Sequence, residues 1–311
     1  MSRRAVSLAI VVLFAACSES PSSSDAGADA RPGRDAQMLD AGPRCMPSAL
    51  PSPLVCNGHA ELCDRRFDQV AYATTHNAMS SEEEGWIAPN QGRRLWRQLE
   101  DGVRGFMLDT YAASDGTPLL CHGVCGPLGQ RPLAEGLHDL REFADCHPAE
   151  VLTLIIEAHL DEASTARAFE DAGLLPYLHQ QPLGAPWPTL RAMVESGRRI
   201  VVFTESADVS LPWYHHAYDY VWDNDYRAES AADFDCEPNR GTGEEPVFVL
   251  NHFLTAPVAM RSLAESVNFD PVLSEHVDRC ARERGQMPNF VTVDFYDASD
   301  LFAAVDRLNG L

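Results

Sequence analysis

The chain has 311 residues, with 24 basic side chains, all arginine, against 46 acidic ones, for a formal charge of −22. A body this acidic argues against general nucleic-acid binding, which needs a cationic surface to displace phosphate counterions. It also argues against adsorption to anionic lipid through a basic face, and any anionic substrate must meet a local cation that overcomes the field of the whole protein.

Residues 1–16 read as an export signal. Arg3 and Arg4 precede the apolar run Ala5 to Ala16, which is too short to span a bilayer. The stretch "LFAAC" resembles the lipobox of bacterial lipoproteins, with Phe14 where an aliphatic residue is usual. That resemblance implies lipidation of Cys17 and a membrane anchor. Residues 17–44 have no periodicity and almost no bulky apolar side chain, so they are expected to form a disordered tether. The rest, 45–311, suits one large domain or two small ones. This segment carries the eight cysteines other than Cys17, namely Cys45, Cys56, Cys63, Cys121, Cys125, Cys146, Cys236 and Cys280, an even set that favours disulfides in an exported chain. Cys56 and Cys63 are expected to close a small loop. No C-x-x-C pair occurs, which weakens a zinc reading.

Short β-branched or aromatic runs follow. They are "VAYATT" from residue 70, "VRGFMLD" from 103, "TPLLCH" from 117 and "VLTLIIE" from 151. Then come "RIVVFTE" from 199, "YDYVWD" from 218, "PVFVLN" from 246 and "NFVTVDFY" from 289. Amphipathic segments lie between them, such as "LAEGLHDLREFADC" and "PVLSEHVDRCARERG". Strands alternating with helices predict an α/β fold, an irregular (β/α)8 TIM-type barrel. "TYAASDG", linking the second run to the third, is too short for a helix.

In such a barrel the active site gathers where strands finish. Here they finish on His76-Asn77, Asp109, His122, Glu157, Glu205, Asp223, Asn251-His252 and Asp294, groups that bind metals or move protons. Met107 shares a strand face with Asp109, Ile155 with Glu157, and Thr292 with Asp294. Elsewhere, His138, His147, His159, His179 and His276 read as polar termini, while His215-His216 and His252 read as either rim or loop. Glu205 and Asp223 could recognise substrate hydroxyls or be idle rim carboxylates. Arg104, on the face opposite Asp109, reads as a structural ion pair. Trp86, Trp187, Trp213 and Trp222 are read as packed side chains with a lipid interface as the alternative.

The stretches "TTHNAM", "LEDGVRGFMLDTY", "LLCHG", "VLTLIIE" and "NFVTVDFYDASD" resemble, in order, the X region of phosphatidylinositol-specific phospholipase C and its secreted relatives. The resemblance implies a distorted TIM-type barrel and a phospholipase C-like phosphodiesterase. A substrate hydroxyl would attack phosphorus, releasing diacylglycerol and a cyclic phosphate. It implies His76 as base, His122 as acid and Asp294 orienting His76. The metal-independent branch has an arginine where Tyr111 stands. The calcium-dependent branch is matched by Asn77, Asp109 and Glu157, with Met107 replacing a glutamate. Oxygen donors of this kind suit Ca²⁺, with Mg²⁺ as the alternative. The implied substrate is a phospholipid or glycan-lipid. Two other readings remain open. One is a glycerophosphodiester phosphodiesterase, whose His-Arg-Gly opening is missing; the other is a surface binding protein on an impaired barrel.

Overall fold

The computed structural model describes residues 44–255 and 258–311; the expected signal, Cys17 and all of the tether but Arg44 lie outside them. Its strands are β1 (Tyr72–Thr75), β2 (Gly105–Ala112), β3 (Pro118–Leu120), β4 (Arg131–Pro132) and β5 (Leu152–Ala158). Then come β6 (Ile200–Thr204), β7 (Tyr214–His216), β8 (Val221–Asp223), β9 (Val247–Asn251) and β10 (Phe290–Val293). The helices are α1 (Leu95–Asp101), α2 (Leu133–Cys146), α3 (Glu162–Asp171), α4 (Leu190–Ser196), α5 (Arg261–Val267), α6 (Val272–Arg284) and α7 (Leu301–Asn309).

Neighbours around the sheet run β7–β6–β5–β2–β1–β10–β9–β8, and every pair on that path is parallel. This is the chain order of an eight-stranded α/β barrel, left unlaced at one seam: β7 and β8 end the path and share no ladder. The strands read as continuous apolar runs because both of their faces are covered. One face packs Tyr72, Ile155, Phe203, Val249 and Phe290 into the barrel interior. The other packs Ala73, Leu154, Val202, Leu250 and Val291 against helix residues such as Leu137, Phe143 and Leu301. Parity along each strand therefore turns Met107, Asp109 and Glu157 inward, with Thr292 and Asp294. Gly105 is required where β2 crosses β1, because a Cβ there would lie 2.3 Å from Thr74 Oγ1.

One strand expectation is corrected. "TPLLCH" is not a barrel strand. Its core, β3, pairs antiparallel with the outer end of β2, Thr110 facing Leu120 and Ala112 facing Pro118. The eighth barrel strand is β7, which contains His215-His216. His215 is buried there, its ring held by Val202 O (3.0 Å) and the Gln181 N–H (3.0 Å), with burial pulling its pKa down to about 4. It takes no part in the rim. His252 and His276 are also buried rather than loop or surface groups. All four of the tryptophans weighed for a lipid interface are packed inside. Arg104 does form the expected structural pair, with Glu150 at 2.8 Å.

Disulfides join Cys45 to Cys146, Cys56 to Cys63, Cys121 to Cys125 and Cys236 to Cys280, so the expected small loop is closed. Among the described residues, no helix is long and apolar enough to cross a membrane.

Candidate active site

The parallel register that sets Thr75 beside Val293 brings the next residues, His76 and Asp294, side by side. His76 Nδ1 lies 2.9 Å from Asp294 Oδ1. The Asn90 side-chain amide donates to the same carboxylate oxygen at 3.0 Å, and that of Asn77 approaches His76 Nε2 at 3.1 Å. These partners fix the tautomer: Nδ1–H donates to Asp294 and Nε2 keeps its lone pair. The ring stacks on Phe253 at 3.9 Å and 9°. Its backbone carbonyl is held by Gln91 Nε2 at 2.7 Å. The chain turns sharply after both partners, with positive φ at Asn77 (45°) and Phe295 (47°). Asparagine tolerates that region; phenylalanine does so only where its surroundings impose it, a cost concentrated at functional sites.

His122 arrives by another route. The β2–β3 hairpin rises above the barrel mouth and returns, with the Cys121 N–H reaching Asp109 O at 3.4 Å. The Cys121–Cys125 disulfide then encloses His122 in a loop of three residues between the two cysteines. Its Nδ1 lies 2.8 Å from Asp109 Oδ2. That hydrogen bond raises the His122 pKa above 6.5; burial opposes the shift, and the charges of Asp109, Glu157 and Asp294 add to it. Burial pushes the Asp109 carboxyl upward in turn, against the pull of His122. The two imidazoles face each other edge to face, with ring centroids 6.5 Å apart.

Both rings line one cleft of about 490 Å³ at the barrel mouth, together with Asn77, Met107, Asp109, Glu157, Glu205, Arg240 and Asp294. The structure thus brings every proposed catalytic and metal-ligand residue to one place. Asp109 and Glu157 are register partners on β2 and β5. Glu157 also bonds His159 at 2.7 Å, so that histidine is more than the polar terminus expected. Glu205 and Asp223 are not free either: Arg240 binds Glu205 through Nη1 at 2.6 Å and Asp223 through Nε at 2.9 Å. Sequence reasoning missed Arg240, Asn90, Gln91 and Phe253. Asn90-Gln91, buried in the structure, carries no sequence signal that marks it, and Arg240 stands in the unremarkable run "EPNRGTG".

The electrostatics of the cleft are adverse to an anion. Four lining carboxylates, Asp109, Glu157, Glu205 and Asp294, stand against one guanidinium, and that guanidinium is already paired. Three oxygen donors suited to a hard cation line the same wall: Asn77, Asp109 and Glu157. The Asn77 Oδ1 and Asp109 Oδ1 atoms accept no hydrogen bond among the described residues. Donors of this chemical type are those a hard divalent cation takes, and Met107 contributes none.

The parallel α/β barrel is of the phospholipase C-like type. Residues 62–309 match the PI-PLC X family, and the chain belongs to it. It is 28% identical to a PI-PLC X domain-containing protein 1 of Arthroderma benhamiae, over 85% of this chain and 93% of that protein. It is 29% identical to PI-PLC X domain-containing protein At5g67130 of Arabidopsis thaliana, over 78% of this chain and 62% of that protein. An uncharacterized secreted protein of A. benhamiae is 24% identical over 80% of this chain and 62% of that protein. Among solved structures, the fold resembles phosphatidylinositol-specific phospholipase C from Listeria monocytogenes, with TM-score 0.56 and 17% identity over 79% of this chain and 95% of that one.

Proposed function

We propose that this chain is an exported phosphodiesterase of the phosphatidylinositol-specific phospholipase C type, cleaving a glycerophospholipid headgroup, inositol in the leading reading. The observation that carries it is the pair of imidazoles 6.5 Å apart across one cleft, each with Nδ1 on its own carboxylate. His122 Nε2 then has no partner among the described residues, and the lone pair of His76 Nε2 meets only the Asn77 amide, so each can handle a proton. His76 Nε2 takes the proton of a headgroup hydroxyl next to the phosphate. That oxygen bonds to phosphorus as the bond from phosphorus to the glyceryl oxygen breaks. His122, whose raised pKa keeps it protonated closer to neutrality, gives its proton to the departing oxygen. The products are diacylglycerol and a cyclic phosphate. Asp294 and Asp109 orient the two rings and stabilise each when it is charged.

Asn77, Asp109 and Glu157 would hold Ca²⁺, or Mg²⁺ in its place, and the ion would offset the charge gained by the phosphate. The acidity of the cleft supports this need, since its one guanidinium is neutralised by Glu205 and Asp223. A lipid substrate is supported by the rim: Ile87, Val124 and Val258, on three separate loops, are 62%, 58% and 48% exposed beside the cleft. Solvent-facing apolar groups around a reaction cleft suit an acyl-chain surface. Four disulfides support export, and Cys17 would anchor the chain to the membrane. The test is turnover of phosphatidylinositol vesicles and of glycerophosphoinositol, with Ca²⁺ and with chelator. Cleavage of the lipid with release of a cyclic phosphate, lost with chelator, is expected. Preference for the deacylated diester, with water as attacking group, would favour a glycerophosphodiester phosphodiesterase instead.

A further inference from the structure

Behind β9, away from the cleft, two buried histidines meet. His252 Nδ1 and His276 Nδ1 are 2.8 Å apart. His252 Nε2 lies 2.9 Å from Val267 O, and His276 Nε2 lies 3.0 Å from Asp235 O. Phe234 stacks on both rings, at 4.4 and 4.7 Å. Three contacts thus need a proton: one between the rings and one at each carbonyl. Two neutral imidazoles carry only two, one each. With His252 donating to Val267 and His276 Nδ1 donating to His252, the lone pair of His276 Nε2 points at a carbonyl oxygen. A third proton would repair the contact, but both rings are buried and, among the described residues, neither has a carboxylate in hydrogen-bond contact to stabilise the charge. With both rings neutral, one buried nitrogen lacks a suitable partner, which is costly in a low-dielectric interior.

A metal ion would supply that partner. His276 and Cys280 stand one turn apart on α6, and Cys236 faces them; ligand atoms of the three lie within 4.8 Å of one another, and all three residues are buried. Asp235 O, the carbonyl facing His276 Nε2, is also 3.5 Å from Cys280 Sγ. We infer that, when the Cys236–Cys280 disulfide is reduced, Cys236, Cys280 and His276 Nε2 form a site for a thiophilic divalent cation such as Zn²⁺. His276 then donates from Nδ1 to His252, and His252 donates from Nε2 to Val267, so every proton has an acceptor. This is the arrangement by which a metal-bound imidazole is oriented by the group behind it. Asp235 O or a water fills the fourth position. Two thiolates and an imidazole suit tetrahedral zinc, with Zn–S near 2.3 Å and Zn–N near 2.0–2.1 Å.

The change of state balances as a two-electron reduction. A phosphine adds two electrons to the sulfur–sulfur bond and becomes the phosphine oxide with an oxygen from water. The two protons of that water complete the thiols, and both thiol protons leave when the cation binds. In oxidising surroundings the same two sulfurs close as the disulfide, so the site is alternately a covalent tie and a metal clip between α6 and the loop before β9.

The whole mature protein, treated with a water-soluble phosphine, would be titrated with Co²⁺ and then Zn²⁺. The expected result is one more equivalent of metal than in the Cys236→Ser/Cys280→Ser variant, with tetrahedral Co²⁺ bands and a thiolate-to-cobalt charge-transfer band that Zn²⁺ abolishes. His252→Gln, which leaves all three ligands in place, should weaken binding about 10–100-fold. Equal uptake by wild type and the double serine variant would overturn the inference. So would a His252→Gln affinity equal to wild type, or a reduced chain that loses its fold and is not restored by Zn²⁺.

Discussion

Two pairs of histidines use the same side chain to opposite ends. At the barrel mouth, His76 and His122 each give Nδ1 to a carboxylate and turn toward a cleft, 21% and 50% exposed. Behind β9, the Nδ1 atoms of His252 and His276 meet, one donating to the other, with carbonyls behind them and, among the described residues, no carboxylate in hydrogen-bond contact. A carboxylate partner stabilises the charged ring, so the His122 pKa is raised; a buried ring without one is kept neutral, so both interior values fall. The lesson is that the partner of Nδ1, rather than the histidine itself, separates His122, whose charged form is favoured, from the two interior rings, whose charged form is disfavoured.

Removing the mouth rings should have the largest effect. His76→Ala and His122→Ala are each expected to lower phosphatidylinositol turnover by about 10²–10⁴-fold. Asp294→Asn tests the partner rather than the ring. It should cost a similar order in kcat, roughly 10²–10⁴, by presenting the wrong His76 tautomer, while KM changes little. Asp109→Asn sharpens the same point through pH. The acid form of His122 is lost as pH rises through its raised pKa, so the alkaline limb of activity is expected above 6.5 in the wild type and should move to lower pH in the variant.

The interior pair makes the opposite demand. Groups with folded-state pKa values below 6.5 bind fewer protons folded than unfolded, so their stability contribution is present above 6.5 and lost as pH falls. Thermal unfolding followed from pH 7 to pH 4 should show a falling midpoint, less steep in a chain carrying His252→Gln. The smallest effect belongs to the rim. Ile87→Glu should weaken partition onto zwitterionic vesicles by roughly 5–10-fold, the order expected for one partly exposed aliphatic side chain leaving a lipid contact.

Much of the fold was legible because buried parallel strands leave continuous apolar runs. Seven of the eight sheet-path strands coincide with such runs, and polar residues at their ends mark the mouth. The eighth did not, because Tyr214–His216 is three residues long with two histidines, while "TPLLCH" has the composition of a barrel strand and the pairing of a hairpin. Register explains why the His76–Asp294 contact could be anticipated: adjacent strands of one parallel ladder end together. Arg240 could not be, since its partners on β8 and beyond β6 are 17 and 35 residues away along the chain. Nor could the burial of His252 and His276, which depends on Phe234 closing over both rings.

The most direct measurement follows phosphorus by nuclear magnetic resonance while wild type, His76→Ala and His122→Ala act on mixed phosphatidylinositol vesicles in Ca²⁺. A cyclic phosphodiester signal growing with wild type, and slowed at least about 100-fold in both variants, is the expected result. Undiminished signal with either ring removed, or no cleavage by wild type at any Ca²⁺ concentration, would contradict the assignment.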